Sequence, residues 1–313
     1  MKGATRLLGL LAVWIGLSVL FALLLPNFAT LRNFETIIRQ TMIVGLAGIG
    51  LTFVIIAGEI DLSVGSAVAL VTVVIAWALR EGWNPLLAAG LGILTGAAAG
   101  FVNGFLTERF RVSSFIATLC TLLVFRGLAK GLANEQKIDA PMTWLAGLTA
   151  SLPPERRWLL LPTGAWLMLA LAGVAAWVLY ATVAGRHVVA VGSNEATARM
   201  CGIDPRRVRM GVFTVSGILM GLAGLMQFSR LTVGDPTVAV GLELSVIAAV
   251  VVGGASLRGG QGSIAGSLIG ALIMTTIASG FSQLGWRNWQ QEIITGAIIL
   301  GAVAWDRARA GRP

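Results

Sequence analysis

The sequence predicts an all-α polytopic membrane protein of about ten transmembrane helices with both termini cytoplasmic. Three observations predict it. Of 313 residues, 56% are hydrophobic and 12% charged, against about 25% charged in soluble domains, so the chain cannot cover a water-facing surface. The apolar residues fall in runs close to the roughly 20 residues that cross a bilayer. The basic residues, 23 Lys+Arg against 14 Asp+Glu for a net charge of +9, flank those runs and form no stripe with interleaved aromatics. That pattern speaks against nucleic acid and for membrane topology and contact with membrane lipid.

The N-terminal stretch MKGATRLLGLLAVWIGLSVLFALLLPNF has a short basic start and a long apolar run without an obvious small-residue cleavage site. It reads as an uncleaved first span over 7–25, ended by Pro26. The next apolar run, 41–79, is nearly 40 residues long, too long for one crossing. It therefore divides into spans 37–57 and 62–80, and AGEIDLSVGS (57–66) is its only polar interruption. Gly58 can end the first helix and Asp61 can N-cap the second, its carboxylate meeting free N–H groups at the positive dipole end. A compatible, sharper reading has Glu59 or Asp61 contacting a solute or a partner subunit, because charge within an apolar run is costly unless used. Glu59, Asp61, Ser63, Asn103 and Glu243 are accordingly candidates for the translocation path or the turn.

The remaining runs give spans at 86–106, 114–132, 162–183, 210–228, 239–254, 263–283 and 290–306. The eighth is short and carries Glu243 near its start. Basic residues cluster at 186–209 and at the C-terminus, and ten spans with the N-terminus inside put both clusters in the cytoplasm. The loop 133–161, with Pro141, Pro153 and Pro154, then faces outward as a lid or docking surface. Ten spans split as five plus five, and an odd half implies inverted halves, although no repeat is visible in the residues themselves. The chain is one membrane domain, 1–313.

Glycines recur every four residues at Gly92, Gly96, Gly100 and Gly104, and again at Gly262, Gly266 and Gly270, with Ser263 and Ser267 on the adjacent row. Such spacing lets helix backbones approach closely. Asn103, beside the first stripe, can face a neighbour or a cavity.

Chemistry is sparse. GGASLRGGQGS (253–263) lacks the phosphate-cradling order of a P-loop and reads as a tight reversal. His187 is the single histidine, read as a solvated loop residue. Cys120 and Cys201 have no pairing or metal spacing. No catalytic set or metal site can be assembled, so the chain is expected not to be an enzyme and to bind no cofactor itself.

The most informative polar segment is AGRHVVAVGSNEATARMCGIDPRRVRM (184–210). Ser193 or Asn194 can cap a short helix, Glu195 favours its first turn and Gly202 can end it. Ala196 and Met200 make a small apolar face, and Arg199 lies one turn from Glu195. A helix of this kind either docks on a cytoplasmic partner or lies on lipid.

At these residues the chain resembles the integral-membrane permease subunits of bacterial ABC importers for ribose, xylose, galactose and related small solutes. AGEIDLSVGSAVAL looks like that family's G-G-I-D-L-S-V-G-S turn. GRHVVAVGSNEATARMCGIDPRRVRM is similar to its coupling loop, and VVGGASLRGGQGSIAGSLIGALIM to its Gly-rich late segment. Two departures are Glu59, where many members have glycine, and Thr197, where the related E-A-A pattern has alanine. The resemblance implies a fold like the cobalamin-importer (type II) class in the bacterial inner membrane. It implies a second permease copy as homodimer or close heterodimer, a periplasmic solute-binding protein, and an ABC ATPase subunit that binds ATP and Mg. The segment 184–209 is then the cytoplasmic coupling loop, with Asn194, Glu195, Ala196, Arg199 and Gly202 contacting the ATPase. The rival readings are a stand-alone secondary transporter and a non-transporting membrane scaffold.

Overall fold

The computed structural model describes residues 2–151 and 159–310; Pro153 and Pro154 of the long loop, and Arg312, lie outside them. The described residues form twelve α-helices: α1 (Lys2–Leu24), α2 (Leu31–Ile56), α3 (Val64–Arg80), α4 (Pro85–Phe110), α5 (Ser114–Leu132), α6 (Thr163–Ala181), α7 (Val183–Ser193), α8 (Glu195–Met200), α9 (Pro205–Leu231), α10 (Leu242–Val252), α11 (Ile264–Gln283) and α12 (Asn288–Ala310). Seven of them, α1, α2, α4, α5, α6, α9 and α11, are long and apolar enough to cross a membrane. The expectation of an all-helical chain meets one small exception: β1 (Ile138–Asp139) pairs antiparallel with β2 (Val233–Gly234).

Local chemistry sets the helix ends. Thr30, Asn84, Asp204 and Ser263 each accept a backbone N–H in the first turn of α2, α4, α9 and α11, and Pro85 and Pro205 follow their caps at the position where a missing N–H costs nothing. The segment 184–192, expected as loop, is helical. Thr182 is extended and its hydroxyl caps α7 by accepting the Gly185 N–H at 3.3 Å. His187 is therefore a half-buried helical residue rather than a solvated loop residue. The short span expected at 239–254 holds an 11-residue helix, about 16 Å long and half of the roughly 30 Å hydrocarbon thickness; residues 235–241 before it are non-helical.

The bundle is built around α2. Its apolar stretch is 83% buried, whereas that of α1 is 6% buried, so α2 is the central post and α1 a peripheral helix, tied to α11 by Trp14 Nε1–H donating to Thr276 Oγ1 at 3.0 Å. Helices α2 and α9 pass each other antiparallel: Met42 and Met226 meet at Gly164, while Gly50 lies against Ser216. Around them the packing repeats. Helix α3 packs on α4 and α5 as α10 packs on α11 and α12, and α2 lies against α11 as α9 lies against α4.

The two matching helix pairs are closed by different chemistry. Between α4 and α9, a Cβ on Gly96 would sit 2.5 Å from the Gly217 carbonyl oxygen, one on Gly100 would collide with Phe213 O, and one on Gly104 would come within 3.1 Å of Met210 Cα. Gly92 instead receives Ile75 of α3. Gly266 and Gly270 admit the carbonyls of Gly253 and Ala249, and Gly262 admits Ile56. Between α2 and α11, hydroxyl and amide pairs do the work: Thr41–Thr275 at 2.7 Å, Thr52–Ser267 at 2.7 Å and Ser279–Asn33 at 2.7 Å.

A candidate coupling site at one end of the bundle

The three segments singled out in the sequence meet at one end of the bundle. Gly58, with φ +83°, turns the chain out of α2, and Gly259, with φ +84°, lies over it: a Cβ there would be 2.9 Å from Gly58 Cα. The Gly260 N–H donates to Ile56 O at 2.8 Å. Gly192, near the end of α7, is wedged between them, and any Cβ on it would collide with the Ile56 carbonyl. The turn at 57–63, the coupling segment and the Gly-rich reversal are thus in backbone contact.

Helix α8 projects from this junction. Asn194 Oδ1 accepts the Thr197 N–H at 3.0 Å, and Gly202, with φ +80°, closes the C-terminus by donating to Arg199 O at 3.0 Å. Ala198 is buried; Ala196 and Met200 face outward, Met200 at 89% exposure. The apolar knob read from the sequence is therefore presented to the outside of the chain.

Arg209, in the second turn of α9, holds α8 to the rest. Its Nε lies 2.6 Å from Glu59 Oε1, its Nη1 3.2 Å from Glu108 Oε1 and its Nη2 2.5 Å from Glu195 Oε2. Glu195 also pairs with Arg199 at 2.6 Å, and Arg206 lies 4.0 Å from Glu108. One guanidinium thus bridges the helix break, the end of α4 and the start of α8. The Arg199 guanidinium, and then Arg209, hold the Glu195 carboxyl below the usual glutamate range. Burial pushes Glu59 up, opposed by the Ser114 hydroxyl and Arg209.

Beneath this layer the turn is pinned from two sides. The Ile60 and Leu62 N–H groups donate to Ser114 Oγ and Thr118 Oγ1 of α5, each at 3.1 Å. Asp61 is fully buried. Its Oδ1 accepts from Ser63 N–H at 2.8 Å and Ser63 Oγ–H at 2.7 Å, and its Oδ2 accepts from Asn103 Nδ2 at 3.3 Å. Asn103 also donates to Ser63 Oγ at 2.7 Å and accepts from Thr121 Oγ1 at 2.6 Å. This corrects the capping expectation: Ser63 is the N-cap residue of α3 and its side chain makes no cap bond. Asp61 closes an Asx turn just before the helix and ties it to α4. Asn103 faces a neighbour, not a cavity.

Glu243 lies apart from the Arg209 cluster. It sits in the first turn of α10 and its Oε2 packs against Gly65 in the first turn of α3, so the two short helices begin beside each other. Arg126 Nη1 donates to the carbonyls of Pro236 and Val238, at 2.8 and 2.7 Å, in the segment leading into α10. The sequence reading missed Arg209 and Glu108. Arg209 was one arginine in a basic cluster, and nothing in the local spacing marked it as the one facing inward.

Comparison with known proteins gives the family. The family described as the branched-chain amino acid transport system permease component matches residues 33–303. The ribose import permease protein of Escherichia coli strain K12 is 39% identical over 299 residues, covering 94% of this chain and 92% of the relative. The L-arabinose ABC transporter permease protein of Azospirillum brasilense is 36% identical over 309 residues, covering 96% and 87%. The ribose import permease protein of Bacillus subtilis is 38% identical over 296 residues, covering 94% and 90%. No solved structure matches the chain. With the family match spanning most of its length, the chain belongs to the permease-component family of branched-chain amino acid transport systems, as a multi-pass subunit of the bacterial inner membrane and not itself an enzyme.

Proposed function

We propose that the chain forms the translocation path of an ATP-driven importer for a monosaccharide. Arg209 carries the coupling part of this reading, because a single side chain joins the exposed helix α8 to the helix break at Glu59. The sugar assignment rests on the ribose and arabinose permeases to which the chain is similar. In this reading two permease copies assemble in a type II arrangement. Each has ten crossings and cytoplasmic termini, with α3 as a short crossing, α10 completing another together with the non-helical residues 235–241, and 184–209 as the cytoplasmic coupling loop. A separate ATPase subunit binds ATP and Mg and receives α8 through Asn194, Glu195, Ala196, Arg199 and Gly202. A periplasmic solute-binding protein delivers the sugar to the opposite face, where 133–151 packs on the segment entering α10.

Closure of the ATPase pair pushes α8. Arg209 passes that motion to Glu59 and Glu108, and hence to the turn and to α4. Asp61, Ser63 and Asn103 then move as one hydrogen-bonded unit. Where α3 and α10 begin, Glu243 Oε2 is buried without a hydrogen-bond partner among the described residues, an acceptor at the kind of broken-helix junction that transporters use for polar solutes. The packing repeat about α2 and α9 supports alternating access by one half rocking against the other.

The test is uptake by the permease reconstituted with its ATPase and binding protein, with ATP enclosed, against ribose, arabinose, xylose and galactose. ATP-dependent accumulation of a pentose or hexose is expected. Uptake by the permease alone on an ion gradient would overturn the proposal, as would an assembled complex that transports none of these sugars.

A further inference from the structure

A cavity of about 480 Å³ lies between α6, α7 and α9, away from the charged cluster. Val174 and Val178 of α6 form one wall, Val215 and Ile218 of α9 the other, and Phe53 of α2 the floor. It opens on the outer surface of the bundle, since Val174 is 56% and Val215 44% exposed. The space is open at Gly211, where a Cβ would meet nothing within 4 Å. Among the described residues, charged and imidazole groups occur in the lining only at one end, as His187 of α7 and Arg207 in the first turn of α9. From Arg207 to Leu222, at the far end, α9 advances about 22 Å, which exceeds the roughly 15 Å half-thickness of a bilayer core.

These features select a ligand. A sugar in this groove would lose its hydrogen bonds to water with no side-chain partner along the walls. A long apolar chain with a charged head would lose nothing. Trp177 and Tyr180, in the last turns of α6 and 63% and 60% exposed, stand at the same end as His187 and Arg207. Trp and Tyr prefer the membrane–water boundary, so the cationic end sits at headgroup level and the walls at acyl depth. Arg207 has one partner among the described ion pairs, Asp204 at 3.3 Å. With both side chains exposed, that pair is weak and exchangeable.

We infer that this groove is a specific site for an anionic phospholipid. One acyl chain lies between α6 and α9, and the phosphate sits on the Arg207 guanidinium beside the His187 imidazole. The site has a consequence for coupling. Its cationic end is lined by α7, which runs directly into α8, and by α9, which carries Arg209 two residues beyond Arg207. A seated lipid clamps α7 against α9 and fixes the base from which α8 projects.

The full-length permease, reconstituted in nanodiscs of equal phosphatidylcholine and phosphatidylglycerol, is to be released and weighed by native mass spectrometry. The wild type should retain phosphatidylglycerol over phosphatidylcholine by roughly fivefold, the preference that one arginine at headgroup level supplies. Arg207→Gln with His187→Gln should keep a bound lipid but lose the preference. Gly211→Leu, which adds bulk inside the groove and suits a helix, should lose the lipid while retaining helicity and a monodisperse profile. Val215→Trp fills the same space from another position and guards against a folding artefact. Unchanged preference in the double variant, or unchanged lipid number in both groove-filling variants, would overturn the site. A change of oligomeric state in place of lipid loss would assign the groove to a second copy of the chain and overturn it equally.

Discussion

Asp61 and Asp235 close the same turn in opposite halves of the chain. Asp61 Oδ1 accepts the N–H and hydroxyl of Ser63 at 2.8 and 2.7 Å, and Asp235 Oδ1 accepts those of Thr237 at 2.9 and 2.6 Å. Each turn follows one of the two antiparallel central helices and precedes a short helix. The second carboxylate oxygen differs. On Asp61 it meets the amide of Asn103 in the core; on Asp235 it meets Lys137 at 3.2 Å, whose side chain is 65% exposed.

That difference predicts opposite responses to the same substitution. Asp61→Asn places an amide against the Asn103 amide, and Asn103 cannot turn over without abandoning Thr121. The mismatch should cost about 1–3 kcal/mol, as for a buried polar group left unpaired, and lower the folded yield. The swap Asp61→Asn with Asn103→Asp restores a donor facing an acceptor and should recover most of the loss. Asp235→Asn weakens a pair whose Asp235 end is buried but whose Lys137 end is solvated and can turn to water, so it should cost less, about 1 kcal/mol. Thermal unfolding of the purified permease decides. Equal stability of Asp61→Asn and Asp235→Asn would show that the Asn103 contact carries no energy.

The α4–α9 seam predicts a positional contrast among glycines. Gly217→Ala drives a methyl into the Gly96 carbonyl and the Gly100 backbone, contacts that have no flexible side chain to yield. Overpacking of this kind costs about 1–3 kcal/mol. Gly90→Ala and Gly127→Ala, with nothing within 4 Å of the added carbon, should be neutral or slightly stabilising. A melting series on the three variants tests it, and a Gly217→Ala protein as stable as the other two would refute the close-packed seam.

How much of this was legible in the sequence depended on distance along the chain. The break at 57–63, the short helix capped by Asn194 and the glycine stripe of α4 each rest on spacing within one segment, and each was readable. What the stripe packs against was not. Gly217 and Gly221 carry the same four-residue spacing, but only the fold brings them to Gly96, more than a hundred residues away. Asp61 was misread because a carboxylate before a helix looks like a cap; that it turns inward to Asn103 depends on α4 lying beside it. Arg209 was hidden among arginines that set topology, and the repeat of the halves lies in packing and in one matched pair of turns, not in sequence similarity.

The cluster around Arg209 predicts a graded series. Arg209→Gln leaves Glu59, Glu108 and Glu195 facing one another with their shared cation gone. The Arg209 side chain is 19% exposed, so the loss should approach the 3–5 kcal/mol of a broken buried pair. Arg209→Lys should fall between, since one ammonium cannot fork to three carboxylates. Glu59→Gln removes a single arm and should fold, while reducing solute-stimulated ATP hydrolysis in the reconstituted complex. Stimulation unchanged in Glu59→Gln would remove the break from the coupling route.

Acidification should separate the two ends of that route. Glu59 faces Arg209 from α9, Glu108 from α4, Glu195 from α8 and the Ser114 hydroxyl of α5, and burial raises its affinity for a proton above that of an ordinary glutamate. With the folded pKa raised, the folded state takes up its proton first as pH falls, and protonation of this group favours folding rather than opposing it. Glu195 is the reverse case. Its folded pKa is depressed by Arg199 and then Arg209, so its contribution is present above the ordinary glutamate range and is lost only as pH falls through the lower folded value. Between those two points Glu59 is neutral while α8 is still tied to Arg199 and Arg209. Coupling should therefore decline in a window where the permease remains folded and the ATPase remains bound. Solute-stimulated hydrolysis, divided by the basal rate of the same complex at each pH, is the measurement. Wild type should fall through this window toward the level that Glu59→Gln shows at neutral pH, and Glu59→Gln should stay flat across it. A wild-type profile superimposable on that of Glu59→Gln would place the titrating group elsewhere and break the link between the Glu59–Arg209 pair and the motion of the turn.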